Sequence, residues 1–175
     1  IFELPYDSFE EIIIKGAAVG FADAPLCEKE PYIIRYAEMI DNWAECDCFC
    51  SCIKVKKSEA DDLLRLAERL MYRKEEFVSR VGTVLMFSKF SDEPTVRKAL
   101  AIYDRLPSGE YYRDMAVAWG ISVYCVKYPQ LIVEYLEHSP ISLAVKLAAA
   151  QKIRDSRRIS DEVKHRVTDT VNLQR

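Results

Sequence analysis

Apolar residues recur every three to four positions through nearly the whole chain, and the strict alternation of a half-buried strand is scarce. That period predicts helices at Tyr6–Phe21 (Phe9, Ile12, Ile13 and Ala17 inward) and Glu28–Ile40 (Ile33, Ile34, Ala37 and Ile40 inward). Asn42 reads as the cap of a third helix running to about Val55. Ser58, followed by Glu59, Asp61 and Asp62, reads as the start of a fourth that ends near Met71. Glu75–Phe90 and Pro94–Leu106 follow, then the breaker Pro107-Ser108-Gly109 and a long helix over Glu110–Tyr128. Pro129–His138, Pro140–Ser156 and a last helix from the Ser160 cap to about Thr170 complete about ten helices, an all-α fold.

A weak internal echo runs through these helices. Phe77-Val78-Ser79-Arg80-Val81, Tyr112-Arg113-Asp114-Met115-Ala116 and Leu143-Ala144-Val145-Lys146-Leu147 open segments of similar pattern. Aligning Asp47, Arg80, Met115 and Lys146 gives spacings of 33, 35 and 31 residues. Periods of this size belong to HEAT-, armadillo- or TPR-type stacks, in which equivalent helices line one curved surface. The expected architecture is a right-handed α-solenoid of HEAT-like helical repeats with a concave binding face, one domain over residues 1–175. An ordinary helical bundle is the alternative that the same pattern admits.

No apolar run approaches the roughly 18 residues of a membrane span; the best stretch, Ala116 to Val126, is too short. Ile1–Pro5 lacks the basic start and the small-residue cleavage site of a signal peptide. Cys46, Cys48, Cys50 and Cys52 alternate, so on a helix they point in nearly opposite directions and cannot converge on one metal. They read as reduced packing residues of a cytoplasmic protein with no metal site.

The net charge of −3 conceals a gradient: residues 1–50 carry 3 Lys+Arg against 11 Asp+Glu, residues 51–150 carry 15 against 13, and residues 151–175 carry 7 against 4. Any polyanion-binding surface is therefore expected in the C-terminal two thirds. Lys146, Lys152, Arg154, Arg157 and Arg158 form a basic edge there, suited either to DNA phosphates or simply to solvent.

Trp43 and Asp47 stand four residues apart in Asp41-Asn42-Trp43-Ala44-Glu45-Cys46-Asp47, so an indole and a carboxylate share one helix face. In a solenoid of this period Arg80 lies beside Asp47 on the neighbouring repeat, and Trp119 lies one repeat further on, one turn below Met115. As bare residues these admit a plainer reading, core indoles plus an ion pair between repeats.

At these residues the chain resembles the AlkD-like DNA alkylation-repair family, glycosylases built from HEAT-like repeats. The resemblance spans roughly Leu4 to Val167. It is carried by Leu4-Pro5-Tyr6…Phe9-Glu10-Glu11, Asp41-Asn42-Trp43-x-x-Cys46-Asp47, Phe77-Val78-x-Arg80, Tyr111-Tyr112-x-x-Met115-Ala116-x-Ala118-Trp119 and Ala149-x-Gln151-Lys152-Ile153. It implies that Trp43 and Trp119 hold the deoxyribose of a lesion, that Asp47 is the catalytic carboxylate, and that Arg80 contacts the DNA backbone beside it. The implied activity is a monofunctional DNA glycosylase: hydrolysis of the N-glycosidic bond of N3- or N7-alkylated purines in duplex DNA, without base flipping or cofactor, by a monomer. Two departures are the mildly acidic charge and the lack of the family's further N-terminal helices. Relatives that bind branched or damaged DNA without catalysis, and helical-repeat scaffolds for protein partners, are the competing classes.

The chemistry is compatible with a single carboxylate. Ordinary glycosidases need a second one to protonate the leaving group. A purine alkylated at N3 or N7 is already cationic and departs neutral, so the remaining tasks are to stabilise an oxocarbenium-like sugar and to place a water. Indole faces attract cations by about 0.5–2 kcal/mol each, which aids catalysis insofar as charge grows in the transition state.

Overall fold

Side-chain caps divide the chain into helices, because the first turn of a helix leaves N–H groups without partners inside it. Ser8 and Glu11 form a reciprocal capping box at the start of α1 (Phe9–Phe21). Asn42 accepts from the Glu45 N–H at 3.0 Å before α3 (Trp43–Cys52), and Asp92 does the same for Thr95 at 3.0 Å before α6 (Glu93–Tyr103). The computed structural model describes residues 8–174. The others, in chain order, are α2 (Leu26–Ala37), α4 (Ala60–Met71), α5 (Glu76–Lys89), α7 (Tyr111–Lys127), α8 (Pro129–His138), α9 (Leu143–Asp155) and α10 (Asp161–Asn172). The protein is all-helical, with ten α-helices and no strand among the described residues, and none of these helices is long and apolar enough to cross a membrane.

Several boundaries differ from those expected. Tyr6 and the motif Leu4-Pro5-Tyr6 lie outside the described residues. Ser58 does not cap α4: a 3-10 turn, Lys57–Glu59, intervenes. Glu59 turns its carboxylate to the N–H groups of Leu26 (2.7 Å) and Lys56 (3.0 Å), tying the start of α2 to the approach of α4. α3 stops at Cys52 rather than near Val55, because Ile53 turns extended and the Lys54 N–H donates to the Gly20 carbonyl at 3.2 Å. α9 begins at Leu143, after Pro140, since Ser142 is the residue whose hydroxyl reaches a free N–H, that of Val145.

The chain forms two compact units, residues 1–88 and 89–175. In the first, α1 packs on α3 and α2, and α2 on α4. Phe9, expected inside, is 45% exposed; α1 buries Lys15, Gly16, Val19 and Gly20 instead. The small residues explain this, because they let helices approach more closely than any apolar stripe would. A Cβ on Gly20 would lie 2.7 Å from the backbone carbon of Cys52. Beneath α1, Tyr36 donates its hydroxyl to the Ile12 carbonyl at 2.9 Å and sets its ring 4.4 Å from that of Phe49. α5 is buried on all sides from Val78 to Phe87. It includes the polar Ser79 and Thr83, whose hydroxyls donate to the Met71 and Ser79 carbonyls. Gly82 allows α5 to cross α4: a Cβ there would sit 2.5 Å from the Met71 nitrogen and 2.6 Å from the Ala67 oxygen.

In the second unit α7 packs on α9 and α8, and α10 on α8 and α9. α8 is also tied to α6, where the Tyr135 hydroxyl donates to Asp104 at 2.9 Å. Ala116, Ile121, Tyr124, Ile132, Leu136, Ala149, Ile153 and Val167 fill the core of this unit.

Two outcomes follow from this packing. Gly82→Ala forces a methyl into backbone that cannot retreat, and is expected to cost about 3 kcal/mol, measured by urea denaturation. Glu59 contributes a pH dependence: the Leu26 and then the Lys56 N–H hold its carboxyl below its ordinary value of 4.5. A depressed folded-state value stabilises the fold above the carboxylate range, and that stabilisation is lost as the pH falls through it. Glu59→Ala should therefore melt below the wild type at neutral pH, with the gap closing below about pH 4.

Candidate functional site

The cap that starts α3 also places its first side chains. Asn42 fixes the first turn, so Trp43, the first helical residue, projects from the end of the helix and is 58% exposed. Asp47, one turn on, is part-open, its side chain 22% exposed. Glu45, between them in sequence, points the other way and is buried, its Oε2 without a hydrogen-bond partner. It lies near Tyr36, where burial first and the Glu45 charge second push the phenol well above its ordinary value.

Arg80 reaches Asp47 from α5. Its Nη2 donates to both carboxylate oxygens, at 2.9 and 3.0 Å, and the residue is 5% exposed. A second link between the two helices, Cys50 Sγ to the Val81 carbonyl at 3.7 Å, adjoins the pair. The expected neighbours Trp43, Asp47 and Arg80 thus belong to one unit, with the carboxylate oriented by a buried guanidinium and the indole open to solvent. The alternating cysteines fall as helix geometry requires: Cys46 and Cys50 are buried, Cys48 is exposed and Cys52 half-buried, and none of the six cysteines is in a disulfide. The remaining buried one, Cys125, has its thiol pushed up to about 12 by burial.

Trp119 belongs to the second unit. It is half-buried and lines an open cleft between α7 and α9 together with Ser122, Lys152, Asp155, Ser156 and Arg158. Two of the five basic-edge residues are thus beside an indole. Arg154 and Arg157 are exposed on the same stretch, with Arg154 bonded to Gln151. Lys146 is buried, donates to Gln174 Oε1 at 2.6 Å, and has its ammonium pulled below its ordinary value by that burial.

Arg113 was not among the expected residues. It is buried, its Nε has no hydrogen-bond partner, and it is in register with the other buried cations. Arg80, Arg113 and Lys146 stand 33 residues apart, the same interval that separates Asp47 from Arg80. Met115, aligned with them from local sequence pattern, is only half-buried. The recurrence of charge at one fixed interval was the signal that would have found Arg113; the apolar pattern around it pointed two residues away.

No protein-family model, curated protein or solved structure matches the chain.

The ion pair is testable by itself. Removing one partner of a pair whose cation is buried costs more than the pair contributes, because a desolvated charge stays behind. Asp47→Ala should destabilise the protein by about 2 kcal/mol, discounted for the part-open carboxylate, and Asp47→Asn by less. Combining Asp47→Ala with Arg80→Met should recover part of the loss in a double-mutant cycle by chemical denaturation.

Proposed function

We propose that this chain is a DNA repair glycosylase that hydrolyses the N-glycosidic bond of cationic N3- or N7-alkylated purines in duplex DNA. Its helices are read as HEAT-like repeats of a right-handed solenoid with a concave DNA-binding face. The observation that carries the reading is the Asp47 carboxylate, fixed through both oxygens by buried Arg80 and left part-open one turn from the exposed indole of Trp43. A carboxylate that served only to neutralise Arg80 would gain nothing from an exposed indole beside it.

In this reading Asp47 faces the sugar as it becomes oxocarbenium-like and holds the water that attacks it, while the departing purine, already positively charged, needs no acid. Pre-orientation matters, because electrostatic stabilisation is strongest when the charged group does not reorganise during the reaction. Trp43 offers its face to the developing positive charge. Trp119 is the residue that the resemblance assigns as the second indole, and Arg80 the one it assigns to the DNA backbone. Lys152, Arg154, Arg157 and Arg158 supply positive charge for phosphates. Packing of helices two apart in the chain within each unit, and the 33-residue recurrence, support the repeat reading.

A second reading, a DNA-binding protein without catalysis, is favoured by one observation: both oxygens of the Asp47 carboxylate are already engaged by Arg80. One experiment separates the two. Incubated with methylated duplex, the intact protein should release 7-methylguanine or 3-methyladenine. Asp47→Asn, checked for folding by circular dichroism, should lose that release while binding the duplex near wild-type strength. Binding with no release by the intact protein would leave the non-catalytic reading, and release undiminished in Asp47→Asn would remove the aspartate from the mechanism.

A further inference from the structure

The cleft between α7 and α9 combines three kinds of group that together suit one ligand. Trp119 provides a flat aromatic wall, Lys152 and Arg158 provide positive charge, and Ser122 and Ser156 provide hydroxyls. Val123 and Val126 continue the apolar side along α7. Neither Lys152 nor Arg158 makes an ion pair among the described residues, so their charge is available to a ligand. The one carboxylate in the lining, Asp155, accepts from Gln151 Nε2 at 2.8 Å, and with the two cations it leaves the lining one net positive charge.

We infer that this cleft takes an unpaired nucleotide, its base stacked on Trp119 and its phosphate between Lys152 and Arg158. A base inside a duplex has both faces covered by its neighbours and cannot offer one to an indole. A base freed by a gap, bulge or flap can, and every base has a face to stack, so the interaction is indifferent to sequence. Flanking cations meet the phosphate that comes with any such base. The inference rests on the nucleic-acid reading above and deepens it. The preferred DNA would be duplex interrupted by unpaired nucleotides, with the second unit engaging the interruption.

Binding of the intact protein to three labelled, undamaged probes tests this by fluorescence anisotropy: a plain duplex, the same duplex with a short single-stranded gap, and a ten-nucleotide single strand. The gapped probe should bind about tenfold more tightly than the plain duplex, and Trp119→Ala should remove that difference. Because Trp119 is half-buried, a second measurement leaves its side chain in place. The chain has two tryptophans, and exposed Trp43 can be replaced by Phe without disturbing a core. The emission of the remaining Trp119 should then be quenched on adding the single strand, and combining Lys152→Ala with Arg158→Ala should weaken that titration about tenfold. Equal binding of gapped and plain duplex, or Trp119 emission unchanged by the single strand, would overturn this inference and leave DNA binding standing. No binding to any of the probes would overturn both.

Discussion

A guanidinium held at 5% exposure must be given an anion by the protein, and for Arg80 that anion is Asp47. Much of the first unit is arranged around this requirement. α5 can be buried on all sides because most of its polar groups find partners inside the protein: Ser79 and Thr83 bond to nearby carbonyls, and Arg80 Nη2 to a carboxylate on α3. Gly82 removes the side chain that would hold α4 away, and the glycines of α1 do the same against Tyr36 and Cys52. Close helix approach through glycine is the condition under which α1, with Val19 as its one buried large apolar residue, still packs into a core.

The same constraint gives Asp47 its character. Stability and chemistry usually compete for a carboxylate, since a group buried in an ion pair has nothing left to offer a substrate. Here the arginine is buried and the carboxylate is not fully covered, so the pair is asymmetric. The buried partner supplies orientation, and the part-open one keeps access. Trp43 is available for a parallel reason: it stands at the first position of its helix, where the Asn42 cap satisfies the backbone and the side chain is free to project outward.

Most of the helices were legible in the sequence because their ends are marked by local chemistry. Asn42 caps a third helix and Pro129–His138 forms as read, since a cap or an N-terminal proline acts within a few residues of itself. Ser58 was misleading for the opposite reason. Glu59 is drawn to the Leu26 N–H, 33 residues away in the chain, and no local pattern contains that partner. Phe9 failed likewise: a stripe of large apolar residues signals the buried face of most helices, but α1 meets its neighbours through glycine. In the candidate site, residue types and their separation were readable, including the pairing of Asp47 with Arg80. Which basic residues remain available was not, and Lys146 is buried against Gln174 while Lys152 and Arg158 flank an indole.

By itself the sequence determined an all-helical chain, the caps that begin its helices, the opposite-facing cysteines, and the interval that brings Asp47 to Arg80. All of these follow from periodicity, from interactions within a turn, or from one recurring interval of 33 residues. Only the tertiary structure decided which member of the ion pair is buried and which is open, that Trp43 faces solvent, that Arg113 rather than Met115 keeps the register of buried charge, and that Trp119 lines a cleft with two cations. Burial is a property of what packs against a residue from elsewhere in the chain. A helix period can say which side chains share a face, but not which of those faces another helix will cover.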